Sequence, residues 1–123
     1  MSAKFLIVDD DDGIRRLVSA VLRRQKYETD EARDGQEAID KLSENNSYDA
    51  LFLDLMMPIR SGYEVIAFLR EQQPVRKCVV VMTAAGTRGP KDLDLSVIHR
   101  VLHKPFDIED VLEAAAECVA GQR

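Results

Sequence analysis

An α/β fold, a three-layer sandwich with a parallel sheet between helices, is predicted by three features of the chain. Five short apolar runs recur along it, helical spacing of apolar residues follows them, and four of the five runs end in acidic, hydroxyl or lysine residues. The first run is Lys4 to Val8, after which Ile14, Leu17, Val18, Val21 and Leu22 mark an amphipathic helix. Tyr27 to Ala32 reads as a more polar second strand. Asp34 to Glu37 has capping-box spacing and opens a second helix through Ala38, Ile39 and Leu42. The third strand, Ala50 to Asp54, is strongly apolar and closes on an acid. Ser61 to Glu64 repeats the capping spacing ahead of Val65, Ile66 and Leu69.

Cys78 to Met82 is the most continuous β-branched stretch, the pattern of a strand covered on both faces, and is expected to be a central strand. Beyond it Gly86, Gly89 and Pro90 interrupt the segment from Thr83 to Ser96, where Leu93, Leu95, Val97 and Ile98 anchor a short fourth helix. Arg100 to His103 supplies the fifth strand. Asp107 caps a last helix through Val111, Leu112, Ala115 and Val119, which Gly121 closes. Five strands alternating with five helices imply parallel strands joined by right-handed crossovers.

Composition narrows the function. A chain of 123 residues is one domain, and 46% hydrophobic with 32% charged residues describes a chain that folds alone. The net charge of -5 repels phosphate backbones and anionic membrane surfaces, so direct nucleic-acid binding is not expected. No apolar run reaches the roughly 20 residues of a membrane span, and the N-terminus lacks a signal-peptide core, so a cytoplasmic location is expected. Cys78 and Cys118, forty positions apart among apolar neighbours, read as buried thiols rather than as a disulfide framework or a zinc site.

In open parallel sheets the functional crevice lies past the carboxyl ends of the strands. There the first strand ends in Asp9, Asp10, Asp11 and Asp12, the third in Asp54, the fourth in Thr83 and the fifth in Lys104; the second contributes nothing comparable. Two unit charges about 4 Å apart repel by roughly 4 kcal/mol at an effective dielectric near 20, so Asp9, Asp10 and Asp54 together need positive charge between them. Lys104 offsets part of it. A hard divalent cation with oxygen ligands does so better, and Mg²⁺ suits a few carboxylates completed by water and a phosphate. Asp11 and Asp12 are left to the helix dipole. An EF-hand does not fit, because Gly13 in its sixth position would put Val8 first and Ser19 twelfth. His99 and His103 lack partners at metal-ligand spacing and receive no role.

Over nearly its whole length the chain resembles the receiver domains of two-component response regulators. Leu6 to Asp11 resembles the family's opening strand and acidic pair, Leu53 to Pro58 with Gly62 its phosphoacceptor turn, and Val81 to Ala84 and Lys104 to Phe106 its last two signatures. The resemblance implies sheet order 2-1-3-4-5, the flavodoxin-like arrangement, and one receiver domain over residues 1–123; with no output domain in this chain, either a single-domain regulator or the receiver piece of something longer is expected. It implies that Asp54 takes a phosphoryl group from a phosphohistidine of a sensor histidine kinase or histidine phosphotransfer protein. Asp10, Asp54 and the backbone carbonyl of Met56 would hold Mg²⁺, Asp9 acting through a metal-bound water. Thr83 and Lys104 would each take a phosphoryl oxygen, and the domain would catalyse its own modification. The face of the fourth helix, fifth strand and last helix would then change for a downstream protein partner.

Two departures from the family pattern bear on the switch. Val101 stands where most members carry an aromatic that swings inward, and Thr83 and Lys104 are one position closer than is usual. Phosphorylation is therefore expected to act by ordering or shifting the segment from Ala85 to Ser96. Met56 and Ala85, two positions after the acceptor and the threonine, bring no group to activate water, so a persistent phosphate is expected. The rival readings are weaker. A pseudo-receiver would bind partners without phosphorylation, and the full set of site residues argues against it. A haloacid-dehalogenase-like phosphatase needs an acid where Met56 stands, and a flavodoxin-type flavin carrier needs a phosphate loop where four carboxylates lie.

Overall fold

In the computed structural model, which describes residues 3–44, 47–71, 77–84 and 97–121, five parallel strands form one sheet in the order β2-β1-β3-β4-β5. The strands are β1 (Lys4–Val8), β2 (Glu28–Ala32), β3 (Ala50–Asp54), β4 (Cys78–Ala84) and β5 (Ile98–Lys104). The helices are α1 (Asp12–Arg24), α2 (Gly35–Glu44), α3 (Gly62–Glu71) and α4 (Ile108–Ala120). The expected strand order is present, and every neighbouring pair is parallel. The short helix expected between Thr83 and Ser96 falls outside the described residues, so the helix after β5 is the fourth described here.

Side chains alternate across the sheet, and both faces are covered. Phe5 and Ile7 of β1 join Phe52, Val80 and Met82 in a core closed by α1 and α4. Leu6 and Val8 join Leu51, Leu53, Val79 and Val81 in a second core under α2 and α3. Every residue of β3 is buried, which makes β3 the middle strand; β4 lies one place away, between β3 and β5. Burying each large apolar side chain contributes about 2 kcal/mol, which is why the three interior strands β1, β3 and β4 are less polar than the edge strands β2 and β5. Edge strand β2 carries Glu28, Asp30 and Glu31, charges that discourage pairing with a further strand.

Local signals explain most boundaries. The Asp34 carboxylate accepts from Glu37 N at 2.8 Å, while Glu37 reaches back to Arg33 N rather than to Asp34, so the box at α2 is offset by one residue. At α4, Asp110 accepts from Asp107 N at 3.1 Å. Two expectations shift. Ile98, expected to anchor a helix, opens β5, and the pairing of Val79 with Ile98 and of Val80 with Arg100 leaves His99 as the extra residue of a bulge. On α1 the buried stripe is Arg15, Val18, Ser19 and Leu22 with Val21, whereas Leu17, read as part of the apolar face, is half exposed.

The cysteines also require a correction. Cys78 and Cys118 are disulfide-bonded, with Cα atoms 5.6 Å apart, and are not the separate thiols expected. Cys78 opens β4 and Cys118 lies near the end of α4. Packing of α4 back across the sheet brings them together, an approach that their forty-residue separation does not reveal. The same end of α4 is tied to β5 by Arg100, which reaches Glu113 at 2.7 Å, and by His99, 2.9 Å from Glu117.

Candidate functional site

Strand register builds the pocket. Val8 pairs with Leu53, Asp54 with Met82 and Ala84 with Lys104, so Asp9, Asp54, Thr83 and Lys104 leave the sheet along one edge. Asp9, Asp10 and Asp54 each place a carboxylate oxygen within 4.8 Å of the others. Asp9 is wholly buried and Asp54 nearly so, while Asp10 is exposed at the mouth. The Lys104 ammonium lies 3.0 Å from Asp9 Oδ2 and 3.7 Å from Asp54 Oδ1. Sequence reasoning expected five residues to converge; the side chains of Asp9, Asp10, Asp54 and Lys104 come together, and Thr83 leaves β4 along the same edge.

The two turns that present the acids are held by their own backbones. Asp9 Oδ1 accepts from Asp11 N at 2.9 Å, and Asp11 caps α1 by accepting from Ile14 N at 3.1 Å. Of the two outer acids left to the helix dipole, Asp11 caps α1 and Asp12 begins it. After β3, Met56 N donates to Asp54 Oδ1 at 3.3 Å. Gly62 packs so close to the carbonyl of Asp54 that any side chain there would collide with backbone, which accounts for glycine at the start of α3.

Ile59 in this turn is exposed and adopts φ 68, a left-handed conformation that is costly for a β-branched residue. Ile59→Asn is expected to stabilise the domain by up to about 1 kcal/mol in urea unfolding, since asparagine tolerates that backbone without glycine's entropy.

Burial, and then repulsion from Asp9, push the Asp54 carboxyl up to about 7, against the pull of Lys104. Burial would lower Lys104, but its contact with Asp9 and the charges of Asp9 and Asp54 hold it above the ordinary lysine value. An acid that ionises later in the folded chain favours folding at low pH. That stability is full below about pH 4 and declines as pH rises toward 7, where folded Asp54 ionises. In chelator, the stability of the wild type minus that of Asp54→Asn is therefore expected to fall between pH 4 and 7, by up to a few kcal/mol, then level off. A flat difference across that range sinks the assignment.

Thr83 is buried, and its hydroxyl has no hydrogen-bond partner among the described residues. Leaving such a group unsatisfied costs about 1–3 kcal/mol, a deficit that an incoming oxygen would remove. Three carboxylates facing one ammonium, with hard oxygen donors and an open side at Asp10, suit a divalent cation. The pocket thus holds a nearly buried carboxylate beside an ammonium and two further acids, with the Thr83 hydroxyl leaving the neighbouring strand along the same edge.

The family model of the response regulator receiver domain matches residues 5–116. The chain belongs to that family. Among relatives of this receiver domain, the transcriptional regulatory protein SrrA of Staphylococcus aureus is 44% identical over 86 residues, covering 70% of this chain and 34% of that protein. The chain thus spans about a third of that relative's length. Among solved structures, the receiver domain resembles a CheY-like response regulator receiver domain protein from Methanospirillum hungatei at TM-score 0.86 and 28% identity, covering 98% of this chain and 97% of that one. It is similar also to the chemotaxis response regulator CheY4 of Vibrio cholerae at TM-score 0.84 and 31% identity, covering 96% and 99% respectively. No helix among the described residues is long and apolar enough to cross a membrane.

One residue of the receiver site was missed in the sequence. Arg15 is buried under the acidic turn and was not singled out, and the second strand, which carries its partner Glu31, was expected to bring nothing comparable. The signal was available: Arg15, Val18, Ser19 and Leu22 share helical spacing, and a charge inside a buried stripe must find partners.

Proposed function

We propose that the domain is a phosphoryl-accepting signalling switch in which Asp54 is the acceptor. Its carboxylate oxygen attacks the phosphorus of a phosphohistidine on a sensor histidine kinase or histidine phosphotransfer protein. The N–P bond breaks, an acyl phosphate forms on Asp54, and the imidazole leaves with a proton. The observation that carries this reading is the meeting of a nearly buried Asp54 with Lys104 at 3.7 Å, and the Thr83 hydroxyl, buried without a partner among the described residues, supports it. Lys104 and Thr83 would each take a phosphoryl oxygen, compensating charge where it develops.

Asp10, Asp54 and the Met56 backbone carbonyl would hold Mg²⁺, with Asp9 acting through a bound water. When bound, Mg²⁺ would neutralise charge on the carboxylates and the incoming phosphoryl group. The modified acid carries about 1.5 to 2 negative charges, and new bonds to Thr83 and Lys104 would draw in the backbone after β4 and β5. The face near β5 and α4 would pass this to a downstream protein, from a cytoplasmic receiver domain that does not itself touch nucleic acid. The expected shift of residues 85–96 belongs to the same proposal and lies outside the described residues. Incubation with a small-molecule phosphodonor, with and without Mg²⁺, tests the reading by intact mass. One magnesium-dependent phosphoryl adduct is expected. Its absence in folded protein favours a pseudo-receiver that binds partners without modification.

A further inference from the structure

Arg15 is only 5% exposed, and its guanidinium makes three bonds in three directions. It donates to the Asp9 backbone carbonyl at 3.0 Å, to Glu31 Oε1 on β2 at 2.9 Å and to Asp12 Oδ1 at 2.6 Å. Asp9 N in turn donates to the carbonyl of Ala32, the residue after Glu31, at 3.2 Å. The turn that carries Asp9 and Asp10 is thus fastened to the edge strand from both sides, once through backbone and once through Arg15. The acidic turn between β1 and α1 would otherwise spread, because its carboxylates repel one another. The planar fork holds its acceptors in fixed directions, which a lysine ammonium cannot do.

We infer that Arg15 is a positioning residue for cation binding: by clamping the Asp9 carbonyl to Glu31 it fixes the approach of the Asp9 and Asp10 carboxylates to Asp54. This rests on the reading of the pocket as a Mg²⁺ site. Arg15 touches neither the carboxylates of Asp9 and Asp54 nor the reacting atoms, and acts through the backbone. Groups of this supporting kind change metal affinity about 10- to 100-fold when removed.

Charge and positioning predict opposite signs. Removing a cation beside an acidic pocket tightens Mg²⁺ binding if only charge matters, and loosens it if geometry matters. Calorimetric titration of the 123-residue chain with MgCl₂ separates them, using wild type, Arg15→Gln, Arg15→Lys and Val18→Ala. Val18, buried on the same helix, controls for general loss of stability. Both Arg15 variants are expected to bind Mg²⁺ about tenfold or more weakly, with Val18→Ala unchanged. Binding by Arg15→Lys within twofold of wild type, or tighter binding by Arg15→Gln, overturns the inference, as does an equal loss in Val18→Ala. Should Arg15→Gln fail to fold, the charge-preserving Arg15→Lys decides alone. A wild type that binds no Mg²⁺ overturns the underlying reading and this inference with it, an outcome distinct from binding that ignores Arg15.

Discussion

Asp54→Asn is expected to abolish phosphoryl uptake, so that intact mass shows the adduct in the wild type and none in the variant under the same donor and Mg²⁺. An amide is not a nucleophile, and the neighbouring acids are poor substitutes. Asp9 is wholly buried with Lys104 against it, and Asp10 lies at the exposed rim. The variant stays folded, since it removes a carboxyl whose ionisation burial and Asp9 already oppose. An undiminished adduct in Asp54→Asn would move the acceptor elsewhere and undo the proposed mechanism. Lys104→Met separates charge compensation from nucleophilicity: uptake should persist but slow about 100- to 1000-fold, the usual effect of losing one donor aimed at developing charge.

Reduction of the Cys78–Cys118 bond is expected to lower stability by about 4 kcal/mol, because the cross-link closes a loop of some forty residues and restrains the unfolded chain. The closed segment contains both Thr83 and Lys104, so the bond fastens the two ends of the stretch that carries two of the five site residues. Urea unfolding with and without reductant reads the effect. The double variant Cys78→Ala with Cys118→Ala should unfold near the reduced wild type in either condition. Equal midpoints for oxidised and reduced wild type would show that the contacts of Arg100 and His99 with α4 suffice to hold that helix.

Periodicity by itself determined the order of strands and helices in this chain, since two-residue and 3.6-residue patterns are local properties of a buried face. The acids, the threonine and the lysine were legible as a site for a related reason: in a parallel sheet, each strand end delivers its next residue to one edge. Asp9, Asp54, Thr83 and Lys104 leave one edge because, from each strand to its neighbour, their positions are offset by a residue or less. Three features depended on packing across the sequence. The Cys78–Cys118 bond forms because α4 returns over the start of β4, and nothing in the spacing of two thiols encodes that return. Leu17 is exposed because the stripe that α1 buries is rotated toward Arg15, whose charge can enter the protein only where Glu31, Asp12 and the Asp9 carbonyl together satisfy it. His99 bulges from β5 because pairing with β4 required one more residue than the strand pattern suggested. A local sequence states which faces must be buried and which groups leave the strands. Which distant groups become partners is settled only when the layers close, because satisfying a buried charge or joining two cysteines requires atoms from elements far apart in the chain.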